Sequence, residues 1–104
     1  MDTITNDEFR AFEGVEDWHP DGDGVRAQFR TGDFATGARL FSAIADLAEA
    51  ANHHPDVEIT YPRVRVRLTS HDAGGLTRKD AELAAAISQA AHDLAIDADA
   101  DPSR

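Results

Sequence analysis

The chain has no cysteine, which excludes disulfide staples, thiolate metal sites and cysteine nucleophiles outright. It also lacks any long apolar run. Its longest apolar stretches fall well short of the roughly 20 residues needed to cross a bilayer. The opening Met1–Glu8 has no basic segment followed by an apolar one, so no secretory signal and a cytoplasmic location are expected. Positive charge is scarce: 10 Lys+Arg face 20 Asp+Glu, the formal net charge is −10, and Lys79 is the only lysine. Such a surface repels phosphate backbones, so no direct nucleic-acid partner and no membrane partner are expected. Repeats and low-complexity blocks are absent before the tail. What remains is 104 residues, enough for one domain that buries roughly 60–70% of the surface its unfolded chain exposes.

The patterning predicts alternating helices and strands. Thr5 and Glu8 have the spacing of a capping box for a helix over about Asn6–Phe12, which Gly14 ends. Glu16–Gly24 is turn-rich, with a short strand expected near Val15–Trp18. Val25, Ala27 and Phe29 alternate with Arg26, Gln28 and Arg30, as in a half-buried strand. Asp33 is the expected N-cap of a long helix over about Phe34–Asn52, with Phe34, Ala38, Phe41, Ile44, Ala45, Ala48 and Ala51 as its apolar face. Val57, Ile59 and Tyr61, then Val64, Val66 and Leu68, mark two more strands, with Tyr61 expected in the core. The last helix opens at Thr77, again with capping-box spacing to Asp80, and places Leu83, Ile87 and Leu94 on its apolar side. Strands close in sequence favour an antiparallel sheet, and its single apolar face needs helices over it. The expected class is α+β, one domain over residues 1–96, followed by an acidic, disordered tail over 97–104. The arginines on the other sheet face, Arg26, Arg30, Arg63, Arg65 and Arg67, are read as a solvated face, with an anion or partner surface as the alternative.

Chemistry concentrates in Glu49-Ala-Ala-Asn-His53-His54-Pro55, then His71 and Asp80. Three of the five histidines lie within nineteen positions, at predicted element ends. Imidazole is the side chain whose ordinary pKa lies near neutrality, so a pair can hold one acid and one base at working pH. Carboxylates nearby fix tautomers and stabilise imidazolium. Glu49 lies four residues before His53, which would set both on one side if the helix continued. His19 and His92 lie outside this cluster and are read as surface residues. Asp80 has two readings, cap partner of Thr77 or site residue, and Glu49 likewise has a solvated alternative.

The pattern Glu-x-x-x-His-His-Pro, five residues, Tyr, nine residues, His, eight residues, Asp resembles the signature of the pterin-4a-carbinolamine dehydratase family. Trp18 sits where that family has Gly-Trp, with Asp17 in place of glycine. Gln28–Phe34 is similar to its Phe-x-Phe-x-Asp-Phe region, apart from Arg30 and Thr31. Ser70–Thr77 is similar to its Thr-His-x-x-x-Gly-Leu-Thr segment, with serine for threonine. The resemblance implies a four-stranded antiparallel sheet with helices packed on one face, assembled as a homodimer or homotetramer. It implies dehydration of a 4a-hydroxytetrahydropterin to the quinonoid dihydropterin, downstream of an aromatic amino acid hydroxylase. The pterin is then the substrate, with no further cofactor and no metal. It implies His53, His54 and His71 in the pterin pocket, His53 and His71 as the acid–base pair, and Glu49, Pro55 and Asp80 as binding or orienting residues.

Two other readings compete. Glu49, His53 and His71 are ligand types that zinc or iron accepts, although adjacent His53 and His54 rarely reach one ion together. A non-catalytic binding or assembly module of the same fold, such as a dimerisation cofactor or assembly chaperone, would use the arginine face or the alanine-rich last helix.

Overall fold

A computed structural model describes residues 2–100. In chain order the elements are α1 (Asn6–Arg10), β1 (His19–Asp21), β2 (Gly24–Arg30), α2 (Phe34–Ala51), β3 (Asp56–Ile59), β4 (Arg63–Leu68), a 3₁₀ turn (His71–Ala73), α3 (Arg78–Asp93) and β5 (Asp97–Ala98). The strands form one antiparallel sheet in the order β1-β2-β4-β3, and β5 pairs with β2 beyond the end of β1. The α+β class and the helix-covered antiparallel sheet expected from the sequence are what the chain forms.

Register explains the core. Val25 pairs with Leu68, Ala27 with Val66 and Phe29 with Val64, so both strands turn their apolar residues to one face. These six side chains are almost fully buried beneath Leu40 and Ile44 of α2 and Leu83, Ala84 and Ile87 of α3. Gly37 lets α2 approach the sheet closely: a Cβ there would lie 3.3 Å from Ile59 Cγ2 and 3.4 Å from Val64 Cγ2. Trp18 closes one end, edge-on to Phe29 with ring centroids 6.3 Å apart. Its Nε1 donates to the Ala84 carbonyl (3.1 Å) and to Ser88 Oγ (2.9 Å), so the buried indole leaves no donor unpaired. The caps form as predicted for the first two helices, with Glu8 N–H donating to Thr5 Oγ1 (3.0 Å) and Thr36 N–H to Asp33 Oδ1 (2.7 Å).

Several expectations are corrected. The first strand lies at His19–Asp21 rather than Val15–Trp18, because Trp18 N–H bonds the Val15 carbonyl in a turn that drives both side chains into the core. His19 therefore belongs to a strand and is half-buried, its Nε2 enclosed without a hydrogen-bond partner in the structure. The buried stripe of α2 is Gly37, Leu40, Ile44 and Ala48, while Phe34 and Phe41 are exposed. The helix has apolar residues on two adjacent stripes, and the sheet takes the one that carries Leu40. Tyr61 is 69% exposed rather than in the core, since it sits in the β3–β4 turn closed by Thr60 N–H to the Arg63 carbonyl.

The chain also runs in order past the boundary expected at 96/97. Asp97 and Ala98 pair with Arg30 and Phe29, and the Asp99 N–H donates to the Gln28 carbonyl (2.8 Å). The open edge of β2 supplies the backbone partners that the acidic sequence does not advertise. Residues 101–104 of that tail lie outside the described residues.

The arginine face is compensated by carboxylates from the sheet's rim. Arg26 and Arg67 meet Asp21, Arg67 also meets Asp23, Arg65 meets Glu58, and Arg30 and Arg63 meet Asp99. Hydrogen bonding from Arg67 holds the Asp23 carboxyl below its ordinary value and raises the guanidinium of Arg67 above its own.

Candidate active site

The site is assembled by two chain reversals at the same end of the sheet. At the end of α2, Asn52 adopts the left-handed conformation (φ 50°, ψ 45°), its N–H bonds the Glu49 carbonyl and the His53 N–H bonds the Ala48 carbonyl. This paired closure satisfies the last helical carbonyls and turns the chain sharply. Asn tolerates that conformation better than most residues, and Pro55 two residues beyond His53 prevents any return to helix. At the end of β4, Ser70 and Gly75 exchange backbone hydrogen bonds around the 3₁₀ turn that carries His71, with Gly74 at φ +80°. The positive φ is the reason a glycine stands there.

Between the two reversals lies a cleft of about 550 Å³, inside the range of roughly 300–1,000 Å³ typical of small-molecule sites. His53, His54 and His71 all line it, with Thr69, Ser70 and Lys79. The three predicted histidines therefore meet at one cavity. Thr69 is tied to the sheet through its hydroxyl, which donates to the Asp23 carbonyl (3.0 Å).

The carboxylates divide the histidines differently from the simple spacing. His53 Nε2 lies 2.6 Å from Asp80 Oδ1 and His54 Nε2 lies 2.6 Å from Glu49 Oε2. Glu49 thus serves His54, five residues on, because the left-handed Asn52 swings His53 off the helix face. The His53 side chain is 13% exposed and that of Asp80 0%, whereas His54 and Glu49 are 58% and 77% exposed. His71 is exposed at the cleft's edge. Pro55 is not among the cleft's walls. It lines a smaller apolar groove of about 220 Å³ with Phe41, Ile44 and Val57, which His54 also borders.

Asp80 combines both readings that its position left open. Its Oδ2 accepts from the Thr77 N–H (2.9 Å), as a cap partner does, and from Ser70 Oγ–H (2.7 Å), while Oδ1 faces His53. Ser70 Oγ also meets Thr77 Oγ1 at 2.8 Å. Every polar atom of this buried carboxylate has a partner, as a charge removed from water requires. An ionised Asp80 accepts a hydrogen bond from Nε2–H of His53, which leaves Nδ1 as the acceptor nitrogen of the neutral ring. Of these residues, Ser70 and Asn52 were not singled out as site residues from sequence. The asparagine directly before His-His-Pro at a helix end was the available signal for the second. The pair on which a metal reading would rest is split, since Glu49 and His53 have separate partners. Among the described residues no three His, Asp or Glu side chains are grouped to hold a metal ion. Among them, too, no helix is long and apolar enough to cross a membrane.

A histidine-lined cleft at the edge of a helix-covered antiparallel sheet, with one imidazole held by a buried carboxylate, brings together the groups that proton exchange with a small molecule would require. Comparison with known proteins narrows that class. The family model for pterin 4 alpha carbinolamine dehydratase matches residues 2–90. A Chloroflexus aurantiacus protein named "Putative pterin-4-alpha-carbinolamine dehydratase" is 49% identical over 73 residues, covering 70% of this chain and 78% of that protein. A protein of the same name from Koribacter versatilis is 36% identical over 88 residues, covering 84% and 94%. The crystal structure of a Brucella melitensis protein described as a transcriptional coactivator/pterin dehydratase superposes with a TM-score of 0.75 at 30% identity, covering 86% of this chain and 99% of that one. The chain belongs to the pterin-4a-carbinolamine dehydratase family.

Proposed function

We propose that this protein dehydrates a 4a-hydroxytetrahydropterin to the quinonoid dihydropterin and water, with its own histidines as acid and base. The C4a–O bond breaks as an imidazolium gives its proton to the departing hydroxyl. A neutral imidazole takes the N5 proton, and the freed electron pair forms the C4a=N5 double bond. His53 and His71 are the acid–base pair in this reading, and His54, supported by Glu49, binds and orients the ring. Asp80 fixes His53. Pro55 acts indirectly, by setting the path of the chain after His54. The pterin is the substrate and no additional cofactor or metal takes part. The observation that carries the proposal is the meeting of three imidazoles at one cleft, one of them locked on a fully buried carboxylate.

The same reading places the protein in the cytoplasm as a homodimer or homotetramer, consuming the product of an aromatic amino acid hydroxylase. The exposed Phe34 and Phe41 stripe of α2 supports self-association. The alternative of a purely non-catalytic module draws less support: of its two candidate surfaces, the arginine face is already matched by carboxylates, and Ala81, Ala84 and Ala91 of the last helix are buried in the core.

The test is the decay of a 4a-hydroxytetrahydropterin with and without the purified protein. The expected result is decay well above the spontaneous rate, falling in acid across roughly pH 5–8, where imidazoles take up protons. Decay at the spontaneous rate refutes the assignment, and a rate independent of pH over that span refutes a histidine base.

A further inference from the structure

We propose that Ser70 is a positioning residue whose hydroxyl, acting through Asp80, sets how strongly His53 holds its proton. The inference rests on the dehydratase reading for its catalytic meaning and on geometry for the coupling itself. Ser70 Oγ–H donates to Asp80 Oδ2 at 2.7 Å, and its single proton is thereby committed. The 2.8 Å contact with Thr77 Oγ1 must then run the other way, with the threonine hydroxyl donating to Ser70 Oγ. A directed chain results: Thr77 hydroxyl to Ser70, Ser70 to Asp80, and His53 Nε2–H to the opposite oxygen of the same carboxylate.

Ser70, Thr77 and Asp80 are all buried, so water does not compete for these bonds. Each donor that Asp80 accepts disperses its charge, and the charge left over is what holds a proton on His53. Taking away the Ser70 donor concentrates that charge on His53, so the imidazolium persists to higher pH. The other titratable groups around the ring are Lys79 beside Asp80 on α3, His54 with its partner Glu49, and His71 with Asp72 on the 3₁₀ turn. None of these touches Ser70 by a hydrogen bond, so the substitution isolates the relay.

The experiment compares wild type, Ser70→Ala and Ser70→Thr in two ways: the pH profile of kcat, and the titration of the His53 imidazole signals by NMR, assigned through His53→Gln. For Ser70→Ala the His53 titration and the limb of the kcat profile that His53 governs both move to higher pH, and kcat at neutral pH falls about tenfold, the scale of one hydrogen bond to a charged group. Ser70→Thr keeps the hydroxyl and restores both toward wild type. A Ser70→Ala protein that folds with an unmoved His53 titration overturns the proposal. If Ser70→Ala does not fold, Thr77→Val, which keeps the N–H bonded to Asp80 but removes the hydroxyl behind Ser70, is read in the same way and an unmoved His53 again overturns it. A wild type without dehydratase activity but with the NMR shift refutes the function and leaves the relay standing.

Discussion

Two histidine–carboxylate pairs stand side by side in this molecule with the same contact distance and opposite surroundings. His53 and Asp80 meet at 2.6 Å in the interior, and His54 and Glu49 meet at 2.6 Å in solvent. In water the second pair gains little from its contact, because solvent screens the charges and two side chains must be held still. In the interior, Asp80 has three donors arranged on it and no water to replace any of them. Equal distances therefore carry unequal consequences, and the buried pair is the one able to hold a tautomer.

The largest expected effect comes from breaking the buried pair. Ser70 O–H and Thr77 N–H both need an acceptor at the position of Asp80 Oδ2. In Asp80→Asn the amide oxygen takes that place, and the amide nitrogen faces His53 Nε2. A donor there forces the neutral ring to carry its proton on Nδ1, the opposite tautomer to the one that Asp80 holds. Asp80→Asn and His53→Ala should each lower kcat by roughly 10²–10⁴-fold. Circular dichroism and thermal unfolding should show that the asparagine variant keeps its fold. A variant with kcat within twofold of wild type would remove Asp80 from the mechanism.

The contrast between the pairs also marks what the sequence made legible. The three histidines were visible because chemistry-bearing residues clustered at element ends, and the structure brings all three to one cavity. The capping-box spacing of Thr77 and Asp80 was visible as well, since caps are local. Which carboxylate serves which histidine was not. The left-handed Asn52 re-aims two side chains at once, and a count along the chain assumes helical continuity that this residue ends. Strand alternation identified Val25, Ala27 and Phe29 correctly because period two has one buried face. The long helix was harder, as its apolar residues cover two stripes and only the sheet decides between Leu40 and Phe41. Strand β5 was hidden for a related reason: Asp97 and Ala98 have no apolar pattern, and their pairing comes from an edge that β1 leaves open.

The exposed pair should respond more gently. His54→Ala removes the side chain proposed to orient the ring but leaves the proposed acid–base pair in place, so KM should rise up to about tenfold with a smaller change in kcat. Glu49→Gln should change either constant by less than about threefold, in keeping with the weak coupling of solvated ion pairs. Steady-state kinetics across both variants test this directly. A kcat loss in His54→Ala as large as that in His53→Ala would reverse the roles assigned to the two.

A third carboxylate lies between these extremes and tests whether burial is the controlling variable. Asp99 is 16% exposed, accepts a hydrogen bond from Gln28, and lies 3.1 Å from Arg30 and 3.5 Å from Arg63. The Gln28 hydrogen bond, followed by the charges of Arg30 and Arg63, holds its carboxyl below the ordinary aspartate value. In that range the unfolded chain binds the proton more tightly than the folded one, so acid favours unfolding. Stability from Asp99 is full above the unfolded value of about 3.9 and is lost as pH falls through the lower folded value. Asp99→Asn should therefore cost up to about 1 kcal/mol at pH 7, allowing for solvent screening, and close to nothing near pH 2. Urea unfolding at the two pH values measures the difference. An equal cost at both would show that Asp99 acts through packing against β2 rather than through its charge.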